Sequence, residues 1–263
     1  MKSEFPPSAR FRRVLLSNDD GIDAPGMRVL EDIAAEIADE VWVVAPAGDK
    51  SGISRAISLH DPLRLVERGP RRFAVPGTPS DSVILGLRLV LKDQPPDLVL
   101  SGVNRGANIG QEIGFSGTVS AALTARMVGY RAVALSQAFR DRDAVKWHTA
   151  KAGALRFFDW IAGIGGVPAN TVLNVNMPDV EPGELTGIDF TRQGPGAALS
   201  VEVESREDMR GGRYHWLSFR REATPQPDDS DYGALRRQAI SVTPVGFDVT
   251  DMRALEQLQK AAR

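Results

Sequence analysis

A chain of 263 residues, 42% hydrophobic and 25% charged, can bury a large core as one domain with additions or as two small domains. Its 32 basic and 34 acidic residues leave a formal charge of -2, so no basic excess draws it to a nucleic-acid duplex or to anionic lipid. With no cysteine, disulfides, a thiolate nucleophile and cysteine-ligated zinc are excluded. The opening Met1 to Pro7 lacks the apolar core of a signal peptide and no later apolar run is long enough to span a bilayer. A cytoplasmic protein with no membrane partner is the expectation.

In chain order, Arg13 to Ser17 reads as a strand, Pro25 to Ile37 as an amphipathic helix and Val41 to Ala45 as the next strand, which is a βαβ unit. A hairpin over Leu63 to Val66 and Phe73 to Val75 leads to Thr78-Pro79, where Thr caps a helix and Pro takes its first position. That helix is expected to reach about Leu91. Asp97 to Ser101 follows as a strand, then a glycine-rich loop, a helix over Thr118 to Val128, a strand over Ala132 to Ser136, a long helix over Ala144 to Ile161 and a strand over Thr171 to Val175. This alternation implies an α/β fold with a mainly parallel sheet covered on both faces.

After Pro178 the pattern changes. Val201, Val203, Tyr214, Trp216 and Phe219 flank the turn-rich Asp208 to Arg213 and predict a long hairpin. A two-stranded hairpin is marginal alone, so this one is expected to pack on another subunit. Thr224 to Tyr232 reads as loop, Ile240 to Thr243 as a returning strand, and Thr250-Asp251 as the cap of a terminal helix to about Ala261. The division expected is a catalytic core over 1–178 and an oligomerisation extension over 179–263.

Four loops follow predicted strands, and in open α/β sheets such loops meet at one crevice. They carry Asp19 and Asp20; Ser51, Gly52 and Ser54; Thr78 and Asp81; and Asn104, Asn108, Ser116 and Thr118. Each of these side chains except that of Gly52 offers oxygen, a donor set that suits a hard divalent cation rather than zinc. A cation would also explain two adjacent carboxylates, whose like charges otherwise repel; the simpler alternative is that they cap the following helix. Ser116-Gly117-Thr118 stands where a helix begins, with free N–H groups suited to an anion or to an ordinary Ser/Thr cap. No Gly-x-Gly-x-x-Gly follows the first strand and no P-loop signature occurs. His60, His148 and His215 form no metal-binding pair and read as surface or structural residues.

Leu16-Ser17-Asn18-Asp19-Asp20-Gly21 with Pro25-Gly26, Ala45-Pro46 with Ser51-Gly52, Gly77 to Asp81, Ser101 to Asn108 and Ser116 to Val119 together resemble the SurE family of metal-dependent nucleotidases. So do Phe190 to Gln193, Asp231-Tyr232 and Ile240 to Pro244, so the resemblance covers nearly the whole chain. It implies a Rossmann-like core, a homodimer or homotetramer held by an exchanged hairpin and C-terminal segment, and hydrolysis of nucleoside 5'-monophosphates by metal-activated water. It maps one divalent ion per subunit, magnesium or manganese, onto Asp19, Asp20, Ser51 and Asn104, with Asp19 and Asp20 catalytic. Phosphate falls on Asn108, Ser116, Gly117 and Thr118. One departure is Asp49-Lys50-Ser51, where the family usually has Asn-Arg-Ser or a similar polar-basic pair. A receiver-type signalling domain also needs an acidic pair, but the later strand ends here carry no third aspartate; a non-catalytic nucleotide-binding or scaffold protein that keeps the fold is the remaining alternative.

Overall fold

The computed structural model describes residues 10–164, 171–222 and 224–262, so Met1 to Pro7 lies outside the described residues. A nine-stranded sheet forms the body, in the order β3-β4-β2-β1-β5-β6-β7-β11-β8. Its first strands are β1 (Phe11–Ser17), β2 (Ala38–Pro46), β3 (Val66–Gly69) and β4 (Arg72–Val75). They are followed by β5 (Leu98–Arg105), β6 (Ala132–Gln137), β7 (Val172–Met177), β8 (Ile188–Phe190) and β11 (Ile240–Val245). The central pairs β2-β1, β1-β5, β5-β6 and β6-β7 are parallel, while β3-β4 and β7-β11 are antiparallel.

The alternation of side chains along β1 divides the core into two layers. Val14 and Leu16 join Met27, Leu30, Phe157 and Phe158 of α1 (Pro25–Ile37) and α4 (Trp147–Gly163) on one face. Leu15 joins Val83, Ala121 and Ala122 of α2 (Pro79–Leu85) and α3 (Gly117–Met127) on the other. Burial on both faces is why the strands read as apolar runs rather than as alternating ones. Chain order reverses at β1: the path runs outward through β2 and β4, then returns to add β5 on the opposite side of β1. Loops leaving β1 and β5 therefore diverge over the two sides of the sheet, and a crevice opens at their carboxyl ends.

Several boundaries differ from expectation. The helix expected to run to about Leu91 does reach Val90, but its α-helical part ends at Leu85 and continues as a π-type turn over Gly86–Val90, closed by Leu91 N–H donating to Gly86 O at 2.8 Å. Gly86 lies directly on Leu15, where a Cβ would come within 2.9 Å of a leucine methyl. The long helix begins at Trp147 rather than Ala144, because Asp141 folds the preceding residues into a turn by accepting Asp143 N–H at 2.9 Å. Loop is correct only up to Ser230, whose hydroxyl accepts Gly233 N–H and starts a short helix, α5 (Asp231–Arg236). Neither α5 nor the three-residue β8 is long enough to show a period.

The hairpin is present as β9 (Ala198–Glu207) and β10 (Arg213–Glu222), turned by Asp208, whose carboxylate accepts Arg210 and Gly212 N–H. Among the described strands these two pair only with each other. Val203, Trp216 and Leu217 are exposed, as are Met252, Leu255 and Leu258 of the terminal helix α6 (Met252–Ala261), capped by Asp251. Among the described residues no helix is long and apolar enough to cross a membrane.

Candidate functional site

β1 ends at Ser17, and Asn18 Nδ2 donates to Gly21 O at 2.8 Å to close the turn that follows. Gly21 adopts φ +102°, a conformation costly for any residue with a Cβ. Because the chain has left the strand here, Asp19 and Asp20 do not point to opposite faces; both line one cleft of about 690 Å³ at the carboxyl ends of β1 and β5.

Asp19 is only 5% exposed. Burial pushes its carboxyl up to about 6; a hydrogen bond from the Thr118 hydroxyl acts against this, and the Asp20 charge adds to it. Asp20 is raised as well, by burial first, opposed by the Arg105 N–H at 3.3 Å, raised further by Asp49, and lowered by the charges of Arg105 and Arg142. α3 begins against Asp19. A Cβ on Gly117 would lie 2.6 Å from Asp19 Cβ, so only glycine lets the amino end of the helix approach the carboxylate so closely. Ser116 caps that helix by accepting Val119 N–H and also lines the cleft, whereas the Thr118 hydroxyl is directed at Asp19.

The second loop is stitched to the first by Lys50 N–H donating to Asp19 O at 2.8 Å. In it, Asp49 Oδ1 accepts both the Ser51 hydroxyl at 2.6 Å and the Ser51 N–H at 2.8 Å. Asp49 therefore accepts the hydrogen bond of the serine hydroxyl and leaves the lone pairs of Oγ unused. At the end of β5, Asn104 Nδ2 donates to Gly106 O at 2.8 Å, which leaves its Oδ1 as the free donor atom. Ser51 and Asn104 line the same cleft as the two aspartates.

Asn108 lines the cleft on a buried polar support that sequence reading missed. Its N–H donates to Asn176 Oδ1 at 2.8 Å, its carbonyl accepts from Asn174 Nδ2 at 2.8 Å, and its amide contacts Ser136 Oγ at 2.9 Å. Asn174 and Asn176 are fully buried on β7. Arg142, after β6, and the rings of Phe115, Phe139, Phe219 and Tyr232 complete the walls. The third loop does not join them: Asp81 accepts Thr78 N–H in a capping box and, outside it, Ser58 N–H and the Ser58 hydroxyl; burial pushes its carboxyl up, but these donors together outweigh it and hold the group below the usual range. None of the three histidines lines the cleft; His148 contacts Glu181 and His215 contacts Ser205.

The donor chemistry fits a hard cation. Two carboxylates, an amide oxygen and a hydroxyl converge, and the deeper carboxylate is buried beside a like charge with a single hydroxyl as its side-chain donor. Among the described residues no three His, Cys, Asp or Glu gather as a metal cluster, so water and substrate oxygens would have to complete a coordination sphere here. That is the habit of magnesium and manganese rather than of zinc.

A family model described as Survival protein SurE matches residues 14–198. The 5'-nucleotidase SurE 1 of Burkholderia lata is 49% identical over 249 residues, covering 95% of this chain and 96% of that protein. The 5'-nucleotidase SurE of Rhodopseudomonas palustris is 48% identical over 243 residues, covering 91% and 95%. The crystal structure of SurE from Aquifex aeolicus superposes with a TM-score of 0.79 at 32% identity, over 95% of this chain and all of that one. Matched by the family model over most of its length, and by close relatives over more than nine-tenths of it, the chain belongs to the SurE family.

Proposed function

We propose that the protein is a metal-dependent phosphomonoesterase that hydrolyses nucleoside 5'-monophosphates to nucleoside and phosphate. The observation that carries the reading is the mixed lining of one cleft. Oxygen donors of Asp19, Asp20, Ser51, Asn104 and Asn108, together with Ser116 that caps α3, share it with Phe115, Phe139, Phe219 and Tyr232, rings on which a base can stack. The relatives' names, 5'-nucleotidase SurE, agree with that substrate class.

Asp19, Asp20, Ser51 and Asn104 would hold the ion. When bound, a divalent ion supplies charge neutralisation at the phosphoryl oxygens and a lowered pKa for an attacking water. Thr118 fixes Asp19 Oδ1 by a hydrogen bond, leaving the other oxygen for the ion or for orienting the water. Asn108 can serve phosphate with its amide turned over: the Ser136 hydroxyl then donates to Oδ1 and Nδ2 is left to donate to a phosphoryl oxygen. Arg105 and Arg142 add positive charge to the walls where negative charge develops.

Phosphate release is the test, measured on nucleoside 5'-monophosphates and on ribose 5-phosphate after exhaustive chelation and again with magnesium or manganese added. Hydrolysis is expected only with metal, with the nucleotide preferred over the sugar phosphate. Full activity in metal-free enzyme refutes metal dependence; equal kcat/KM for the two substrates removes the role of the rings.

The same reading divides the chain into a core over 1–178 and an extension over 179–263 whose exposed hairpin and terminal helix join subunits into a dimer or tetramer. What supports it is apolar surface left uncovered among the described residues: Val203, Trp216 and Leu217 on the hairpin and Leu258 on α6 are each 60% exposed or more. Deleting Val201 to Phe219 should reduce the oligomer by light scattering; an unchanged mass would show that the hairpin serves its own subunit only.

A further inference from the structure

Asp231, the first residue of α5, is fully buried and is not one of the residues lining the cleft. Its Oδ2 accepts the N–H of Gly110 at 2.8 Å, and its Oδ1 accepts those of Gly194 and Tyr232, both at 2.9 Å. Gly110 is held from a second direction by Gln193, whose Nε2 donates to Gly110 O at 2.8 Å. It is held from a third by Gly196: a Cβ on Gly110 would lie 2.6 Å from Gly196 Cα, and its φ of +56° is the left-handed conformation. All three grips come from the C-terminal extension.

Gly110 stands two residues after Asn108 and opens the 3-10 turn Gly110–Phe115 that ends at Ser116. Both flanking residues line the cleft, as does Tyr232 beside Asp231. Nothing else in the mechanism uses Asp231 or Gln193. A carboxylate that accepts three backbone N–H groups is a strong and directional anchor, since each bond is charge-assisted. An amide has one acceptor oxygen, so it cannot serve both Gly110 and Gly194 without turning an NH2 against one of their N–H groups.

We infer that Asp231, with Gln193, is a positioning residue for the phosphate-side loop, so that the extension builds the active site as well as offering surface for assembly. The inference rests on the proposed function in taking that loop, through Asn108 and Ser116, to receive phosphate. It separates two parts of the cleft: Asp19, Asp20 and Ser51 stand on the loops after β1 and β2, and Asn104 stands within β5, paired with Ser136 of β6, so none of the four is held by Asp231 and metal binding should not depend on it.

The test uses the full chain and the variants Asp231→Asn and Gln193→Leu. Calorimetry gives the affinity for Mg2+ and, in saturating Mg2+, for inorganic phosphate; steady-state kinetics gives kcat and KM for a nucleoside 5'-monophosphate. Asp231→Asn should weaken phosphate binding and lower kcat/KM by about 10-fold or more, the range usual for groups that orient a ligand-binding residue. Mg2+ affinity should stay at the wild-type level. Gln193→Leu should move the same quantities in the same direction by less, and Asp231→Glu, which keeps the charge, should recover part of the loss. A merely structural role predicts otherwise: a lower Tm with unchanged phosphate affinity, or parallel loss of Mg2+ and phosphate binding. Either result overturns the inference, as does a wild-type protein that binds no phosphate. If Asp231→Asn does not fold, the same two affinities of Gln193→Leu decide. A wild type that binds phosphate yet hydrolyses no nucleotide refutes the proposed function and leaves the positioning inference to be read from the affinities.

Discussion

Asp19, in the turn after β1, and Asp231, in the turn that opens α5, are both withdrawn from water, at 5% and 0% exposure, yet their surroundings differ in kind. Asp231 accepts three backbone N–H groups and faces no second carboxylate through them. Asp19 accepts one side-chain hydroxyl and stands beside Asp20, and its carboxyl is pushed up to about 6 by burial, in spite of Thr118, with Asp20 adding to the rise. The α5 turn spends its negative charge on the backbone. The β1 turn keeps its charge available, at a cost to the protein that holds it. Burial alone therefore does not separate a structural carboxylate from a functional one; the number of donors already engaged does.

The sharpest way to break this comparison is to neutralise each carboxylate. Asp19→Asn should lower kcat/KM by more than about 100-fold, because loss of a proposed metal ligand should exceed the 10- to 100-fold typical of losing its outer supports. Its effect on metal-free stability should have the opposite sign. Asp19 titrates near 3.8 in the unfolded chain and about 6 in the fold, so its ionisation opposes folding, and the penalty grows as pH rises from about 4 through 6. Metal-free Asp19→Asn should thus melt above wild type at pH 8 and close to it at pH 4, whereas Asp231→Asn should melt below wild type at pH 8. Thermal scans in chelator at both pH values check this. Shifts of the same sign for the two variants at pH 8 would erase the distinction.

A smaller effect is expected from Gly117→Ala. The added methyl, 2.6 Å from Asp19 Cβ, must displace either the carboxylate or the start of α3, and Mg2+ affinity should fall by about 10-fold. Unchanged affinity by calorimetry would show that the pair has room to adjust. The smallest effect on catalysis belongs to Asp81→Asn, where the carboxylate is committed to a helix cap. Stability should fall by about 1–2 kcal/mol, as for other lost caps, while kcat/KM of the folded enzyme is retained. A large catalytic loss there would extend the site to a third loop.

Much of this was legible in the residues. The alternation of Val14, Leu15 and Leu16 into opposite core layers, the period of α1 and the Thr78-Pro79 cap are local signals, carried by spacing of two, of 3.6 and by capping chemistry. Asp19, Asp20, Ser51 and Asn104 come together because the reversal of strand order beside β1 brings the strand-end loops to one crevice. Their supports were not legible. Asn174 and Asn176 sit in a strand that reads as apolar, and only the placement of β7 next to β6 carries them under Asn108. Asp231 lies 121 positions from Gly110, at the start of a helix too short to leave a periodic trace. Asp49, read as a departure beside a ligand, acquires its meaning from a side-chain bond to Ser51 that spacing does not reveal.

The edges of the sheet carry a consequence for handling the protein. The main sheet closes on one side with the four-residue β3 and on the other with the three-residue β8, edges too short to template another chain effectively. The two ten-residue strands of the hairpin have no such protection, since each is paired on one side only among the described strands. Unwanted edge-to-edge pairing is thereby concentrated on the hairpin rather than on the edges of the main sheet. A charged residue placed at an exposed apolar position of the hairpin, such as Leu217→Lys, should therefore lower aggregation at high concentration and, if the hairpin joins subunits as proposed, reduce the oligomer as well.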